Sequence, residues 1–365
     1  MNGRSLVVLE KTFVRPATGV VRGVENFNIR LVRDLARSGW RVAVPCDPSW
    51  RDALLGAPGP GADGAVEILA ADGRGAPALA MFRAAAAAAS AARRSGAPFD
   101  WLFLANDANG LALPSRAAMA AGAARRLLVF AHKLPYPWFL RIVGGRANSV
   151  VCVSDAVAEG FRRAGFGAKT RVRYGVADAG LWHPDSSPRD CSPPLRFCVF
   201  GSLDSAWKGA DTAIAAWRLL PEDFRSRNEL HLVAYSEPPD FGGEPGIVAH
   251  GWHAPAELPG LLRSMDAMIA PSRDPKRLME TFSQCVVQGM LSALPVIHTG
   301  IPVFAEKFDA GGGIRADTPQ EIARAVLRLA GDPALRARLG AEARRTALAR
   351  YVWDFPAFER EFLLA

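Results

Sequence analysis

Short runs of consecutive apolar residues alternate along this chain with longer stretches in which apolar positions return at helical spacing. The first kind reads as strand and the second as crossover helix, the pattern of parallel sheets. In the first half the predicted strands are Leu6–Leu9, Arg41–Pro45, Trp101–Ala105, Arg126–Ala131, Val150–Val153 and Arg171–Tyr174, and Val24–Ser38 is the plainest helix. The stretch Trp182–Pro194 breaks the pattern with four prolines, three serines and no periodicity, so residues 186–194 read as a linker. Strands resume at Arg196–Phe200, Leu230–Ala234, Ile247–His250, Ala267–Ala270 and Pro295–Ile297. The expected fold is α/β, with one doubly wound Rossmann-like unit over 1–185 and a second over 195–345. The length of 365 residues agrees, because single cores seldom grow past ~250–300 residues. Ligands of such sheets sit at the carboxyl ends of the strands, so two facing units would enclose one cleft.

Composition narrows the class. Hydrophobic residues make up 50% and charged residues 22%, as in soluble globular enzymes. The five cysteines are scattered without metal-ligand or redox spacing, so reduced thiols in a cytoplasmic protein are expected. The N-terminal apolar run is too short for a signal peptide, and no run reaches the ~18 apolar residues of a membrane helix. The net charge of +8 suits nucleic acid, an anionic membrane face or an anionic small substrate. Nucleic acid is set aside, because no recognition helix and no Arg/aromatic module occurs. The plainer source of the basic balance is a GC-rich coding bias toward Ala and Arg, beside which an anionic substrate and peripheral contact at the inner membrane face stay open as alternatives. Oligomeric state is unreadable from the sequence.

Candidate chemistry concentrates in Glu280-Thr-Phe-Ser-Gln-Cys-Val-Val-Gln288, where a lone acid enters an apolar helix shortly before the strand at Pro295. A helix N-terminus binds phosphate through its free N–H groups and dipole. Beside it a carboxylate suits hydroxyls rather than the phosphate itself. Together they point to a sugar attached to a nucleoside diphosphate, with Thr281, Phe282, Ser283 and Gln284 lining the phosphate turn. The plainer reading of Glu280 is a helix-start acid worth ~0.3–1 kcal/mol. Lys208 precedes Gly209 where a loop meets a helix, and loop lysines are usually just solvated. His132 follows the apolar run Leu127–Ala131 at a strand's carboxyl end, where a satisfied structural histidine is common. His250, His253 and His298 read as structural, without acidic partners at a telling spacing, and no metal site is expected. Gly23 permits close backbone approach at a helix start shared with Arg22, Glu25 and Asn26. Tyr136 and Trp138 in Lys133–Phe139 either stack on an acceptor or pack as a loop.

These segments agree in order and spacing with one family. Gly201-Ser-Leu-Asp-Ser-Ala-Trp-Lys208-Gly209, Val248-Ala-His-Gly251, Ala267-Met-Ile-Ala-Pro271-Ser272, Glu280 through Ile297 and Gly311-Gly-Gly-Ile-Arg315 resemble the retaining glycosyltransferases of family 4, which have the GT-B fold. Val151-Cys-Val-Ser154, Val172-Arg-Tyr-Gly175 and Arg22-Gly23 extend the resemblance through the first half. The resemblance implies that residues 346–365 cross back onto the first unit. It implies a hexosyl transfer from a UDP- or GDP-linked sugar to a hydroxyl acceptor (saccharide, lipid-linked sugar or small molecule), with retention and without cofactor or metal. Lys208 would then neutralise the diphosphate, Glu280 hold the donor sugar's hydroxyls and His132 orient the sugar. Arg22, Asn26 and Tyr136 fall on the acceptor side. The chain departs from the pattern twice: Gln288 replaces the second acid of E-x7-E, and Ser202 replaces the arginine that joins the lysine on the diphosphate. Gln288 serves either the ribose or the helix packing. Arg273, Lys276, Arg277 and Arg22 are the candidates to replace the missing cation. The competing class is a GT-B shell that binds an anionic ligand without turnover. A phosphorylase or an epimerase on the same fold is a third.

Overall fold

In a computed structural model the described residues are 4–17, 23–56, 66–71, 76–105, 110–174, 177–185, 193–234, 244–251, 253, 256–274 and 280–364. The chain divides into two compact units, Met1–Arg173 with Asp354–Ala365, and Tyr174–Trp353.

Unit 1 is built on seven strands: β1 Ser5–Glu10, β2 Arg41–Cys46, β3 Val66–Ala70, β4 Phe99–Ala105, β5 Ala124–Ala131, β6 Ser149–Cys152 and β7 Thr170–Val172. They form one sheet in the order β3-β2-β1-β4-β5-β6-β7, every pair parallel. The central strands are buried because helices cover such sheets on both faces, which is why β1 and β4 read as unbroken apolar runs. Helix Gly23–Arg37 turns Phe27, Leu31, Val32 and Leu35 inward at helical spacing. An alanine-rich stretch, residues 84–92, lies in helix Pro77–Arg94, which is opened by a proline at its first turn and buries Ala80, Ala84, Ala88 and Ala92. The terminal segment 354–364 docks on this unit. The Trp101 indole N–H donates to Leu363 O (3.1 Å), that of Trp40 to Glu359 (2.7 Å), and Arg173 pairs with Glu361 (3.0 Å).

Unit 2 carries β8 Arg196–Gly201, β9 Glu229–Ala234, β10 Ile247–His250, β11 Ala267–Ala270, β12 Val296–His298 and β13 Gly313–Arg315. Their order is β10-β9-β8-β11-β12-β13, again all parallel. Phe197, Val199, Trp217, Leu230, Ile269 and Leu329 belong to its core. Helix Pro319–Gly331 starts in a capping box: the Glu321 amide donates to Thr318 Oγ1 (3.2 Å), and the Thr318 amide donates back to the Glu321 carboxylate (3.1 Å).

Strand order reverses between β1 and β4 in unit 1 and between β8 and β11 in unit 2, the switch points where such sheets bind ligands. The strands absent from the sequence reading, β3 and β13, are edge strands. β3 is only partly buried and holds Glu67, and β13 has three residues, so neither shows a sustained apolar run. The pairing of the last central strand begins at Val296 rather than Pro295, which has no N–H to donate. The four described cysteines, Cys46, Cys152, Cys198 and Cys285, are buried thiols outside any disulfide.

Candidate functional site

The switch point of unit 2 is assembled from three turns. From Gly201, the last residue of β8, the chain passes through Ser202 to a single 3₁₀ turn, Ala206–Lys208, and then Gly209 in the left-handed region (φ 76, ψ 25). Gly209 lies against the Pro271 carbonyl that follows β11, where an added Cβ would stand 2.1 Å from the oxygen. The third turn carries Glu280. The Lys208 ammonium donates to Glu280 Oε2 at 2.5 Å, and the Ser283 amide donates to Glu280 Oε1 at 3.1 Å. Both partners of the ion pair are shielded, with side-chain exposures of 13% and 7%. The Lys208 Nζ also lies 4.6 Å from the Trp207 ring centre. Two residues 72 positions apart thus meet at one turn.

Ser283 holds φ 58 and ψ 73, a left-handed conformation uncommon outside glycine, and helix Gln284–Leu291 starts there without a side-chain cap. The Ser283 amide was expected to face phosphate; in this state it is taken by Glu280. Thr281 and Gln284 are half-buried at the same turn, while the Phe282 side chain is buried in the core. Gln288 is buried further along the helix, and its Oε1 has no hydrogen-bond partner among the described residues.

The candidate substitutes for the missing arginine fare differently. Ser202 is half-buried and its carbonyl accepts from the Ser205 amide (3.1 Å). Arg273 is no free cation: its guanidinium donates to Asp211 (2.9 and 3.0 Å) and to Ala206 O (2.5 Å), and its amide donates to Trp207 O (2.7 Å). It braces the lysine turn instead. Lys276, Arg277 and Arg22 lie outside the described residues. The sequence reading overlooked Lys307, which is fully buried at the end of helix Pro302–Lys307, with Nζ 4.3 Å from the Phe282 ring centre. A lysine ending a helix reads as a solvated dipole partner, and only the packing reveals it.

In unit 1, His132 follows β5 directly and is buried against Phe130 (5.0 Å between ring centres) and Phe27 (6.0 Å). Its Nε2 has no partner among the described residues. Burial, reinforced by the neighbouring Lys133 charge, pushes its pKa down to about 3, so the imidazole is neutral at physiological pH. In the unfolded chain it titrates near ~6.5. Below that pH only the unfolded chain takes up the proton, so unit 1 loses stability as pH falls from about 6.5 toward 3. Between pH 6.5 and 5 the loss is about 2 kcal/mol. Thermal unfolding at pH 7 and pH 5 checks this: His132→Asn should narrow the gap between the two melting temperatures.

The first turn of helix Gly23–Arg37 sorts its candidates. Asn26 is exposed, whereas Glu25 is buried and accepts from the Thr12 hydroxyl (3.3 Å). Beside it Glu10, the last residue of β1, accepts from the Thr12 amide (2.9 Å) and from Asn28 (2.7 Å). Glu10 was missed, although an acid closing an apolar strand at its carboxyl end is a usable signal. Tyr136 is 60% exposed and its ring lies parallel to that of Trp138 at 6.4 Å.

The expected lack of acidic partners fails for His253, which meets Glu257 four residues on. His250 and His253 do have polar partners: His231 Nδ1 lies 2.7 Å from His250 Nε2, and His250 Nδ1 lies 3.3 Å from His253 Nε2. Glu229 closes one end of this chain on His231 (2.9 Å) and Glu257 the other on His253 (3.3 Å). The links between histidines run from β9 to its neighbour β10 and beyond, where sequence spacing gives no signal. The chain is linear, and among the described residues no His, Cys, Asp or Glu group could hold a metal ion. No helix of the described residues is long and apolar enough to cross a membrane.

Comparison with known proteins places this geometry. No curated protein sequence matches the chain. Among solved structures, Anabaena Alr3699/HepE in complex with UDP and glucose is similar at 19% identity, over 99% of this chain and 98% of that one, with a TM-score of 0.70. Sucrose-phosphate synthase from Thermosynechococcus elongatus is similar at 17% identity over 99% and 98%, TM-score 0.74. A glycosyltransferase from Rickettsia africae ESF-5 is similar at 16% identity over 100% and 98%, TM-score 0.74. These likenesses establish the fold, a two-domain Rossmann-like GT-B architecture. Residues 194–332, which contain Lys208, Gly209, Glu280 and Gln288, match the family model of the group 1 glycosyl transferases.

Proposed function

We propose that this protein is a nucleotide-sugar-dependent glycosyltransferase that moves a hexosyl group from a UDP- or GDP-linked sugar to a hydroxyl acceptor with retention. The observation that carries the reading is the Lys208–Glu280 pair at the start of an uncapped helix on the unit 2 switch point. A cation, a helix N-terminus and a carboxylate at one spot match the three parts of the donor's reactive end: diphosphate, its developing charge and the sugar hydroxyls. In this role Lys208 turns from Glu280 to the diphosphate, and the first amides of helix Gln284–Leu291 add their dipole. Glu280, released, accepts from the sugar hydroxyls. The unpartnered Gln288 Oε1 accepts from the ribose. Gly23, Ser202, Thr281, Phe282, Ser283 and Gln284 complete the donor-side backbone, and the neutral His132 orients the sugar. Asn26 and the Tyr136–Trp138 pair face the acceptor, a saccharide, a lipid-linked sugar or a small molecule.

Front-face attack fits this residue set: the acceptor hydroxyl bonds to the anomeric carbon as the diphosphate leaves and takes the hydroxyl proton. The cations then act on the leaving group and no protein nucleophile is required. The reading carries no resident cofactor or metal, and a cytoplasmic setting.

Thermal shifts against UDP, GDP, ADP, dTDP and their common sugar conjugates, with and without EDTA, test it. A single nucleotide preference, a further gain from one attached sugar and indifference to EDTA are expected. The second reading, a binder without turnover, is favoured by Ser202 and Gln288, which replace two donor-site groups. It stands if nucleotide binds but neither transfer nor donor hydrolysis follows.

A further inference from the structure

Lys307 is 0% exposed, and its Nζ has no hydrogen-bond partner among the described residues. Lysine is almost never buried this way unless its charge is compensated. Its ammonium lies 4.3 Å from the centre of the Phe282 ring and 4.9 Å from that of Tyr351, and those two rings stand 6.0 Å apart. Aromatic faces attract a cation, most strongly when it is desolvated. Burial pushes the lysine's pKa down to about 8, while Glu306 and Glu280 pull it back up. Glu306 belongs to the same helix. Glu280 belongs to the donor turn, two residues before the ring on which Lys307 rests.

The proposed function, on which this inference rests, asks Lys208 to leave Glu280 for the diphosphate. Glu280 is only 6% exposed, and a buried carboxylate deprived of its cation is strongly destabilised unless another charge stands near. The geometry points to Lys307 as a positioning residue: it is the standing counter-charge of Glu280 and, by clamping Phe282 against Tyr351, holds the Glu280–Ser283 turn aimed at the donor sugar after Lys208 has moved. Glu280 thus has one cation in contact, Lys208, and a second, Lys307, that acts on it through space. Recognition of the sugar depends on Lys307; recognition of the nucleotide does not.

Calorimetric titration of the full chain with UDP and with UDP-glucose, or with the pair that the thermal-shift panel identifies, tests this. Lys307→Met keeps the length and apolar stem of the side chain and removes the charge. UDP affinity should stay within about twofold of wild type, while the extra affinity contributed by the attached sugar falls tenfold or more. A variant that keeps the wild-type ratio of the two affinities overturns the inference. If Lys307→Met does not fold, the wild-type protein decides through its pH dependence. The groups facing the ammonium are Glu280 from the turn, Glu306 from its own helix and Tyr351, whose phenol burial holds above its ordinary value; Arg350 and Asp309 pair next to Tyr351. Lys307 is therefore the group that changes charge between pH 7 and 9, and the sugar-dependent gain should fall across that window; a flat ratio overturns the inference. A wild-type protein that binds no nucleoside diphosphate refutes the proposed function itself, and the role of Lys307 with it.

Discussion

Replacing Lys208 with alanine is expected to lower turnover by about 10²–10³-fold, the usual consequence of removing one preorganised donor from a developing charge. Lys208 is the described cation that pairs directly with Glu280, at 2.5 Å. The usual second cation is Ser202 here, and Arg273 is held by Asp211 and Ala206. The diphosphate therefore depends on this ammonium more than a site with two cations would. The variant also leaves Glu280 buried without its ion-pair partner, a break that costs roughly 3–5 kcal/mol of stability in a buried pair. Donor binding and turnover should fall together, because the charge being neutralised exists in the bound donor and grows as the bond breaks. Lys208→Arg keeps the charge but offers a planar fork in place of a point charge, and should recover only part of the rate. Steady-state transfer rates beside UDP titrations check both variants. Undiminished turnover in Lys208→Ala would refute the proposed donor site. Glu280→Ala should instead abolish the sugar-dependent gain while nucleotide binding persists.

How far the sequence disclosed this site follows from what kind of interaction each residue makes. The central strands were legible because burial on both faces leaves unbroken apolar runs such as Leu6–Leu9 and Leu127–Ala131. The edge strands β3 and β13 were not, since half-exposure and brevity erase the run. Lys208 and Glu280 were legible because each stands at a punctuation point of the chain, a glycine in one case and a helix start in the other. Lys307 was hidden, because a charge in a helix's last turn has the same sequence appearance whether it is solvated or enclosed by Phe282 and Tyr351. The histidine chain across β9 and β10 was hidden for a related reason: its links run between neighbouring strands and a loop, a register the sequence does not print. Arg273 shows the converse. It was a plausible phosphate ligand by position, and tertiary bonds to Asp211 and Ala206 assign it to bracing.

Gly209→Ala should be the most disruptive single methyl in the site. Gly209 holds φ 76, a conformation that costs an alanine roughly 1–2 kcal/mol. The new Cβ would stand 2.1 Å from the Pro271 carbonyl oxygen and 2.9 Å from its carbon, both backbone atoms that cannot swing aside as a side chain would. Relieving that overlap adds the ~1–3 kcal/mol typical of overpacking, for a total of about 2–5 kcal/mol. In a unit of this size the melting temperature should drop on the order of 10 °C. Gly209→Asn separates the two causes, because asparagine tolerates the left-handed region yet carries the same Cβ. If the collision dominates, both variants fall alike; if backbone strain dominates, asparagine recovers much of the loss. The collision is expected to dominate, since Pro271 is the residue against which the lysine turn is seated and its carbonyl follows directly from buried β11. Retreat of the turn from Pro271 would carry Lys208 with it. Activity should therefore fall further than stability, even at temperatures where the variant remains folded.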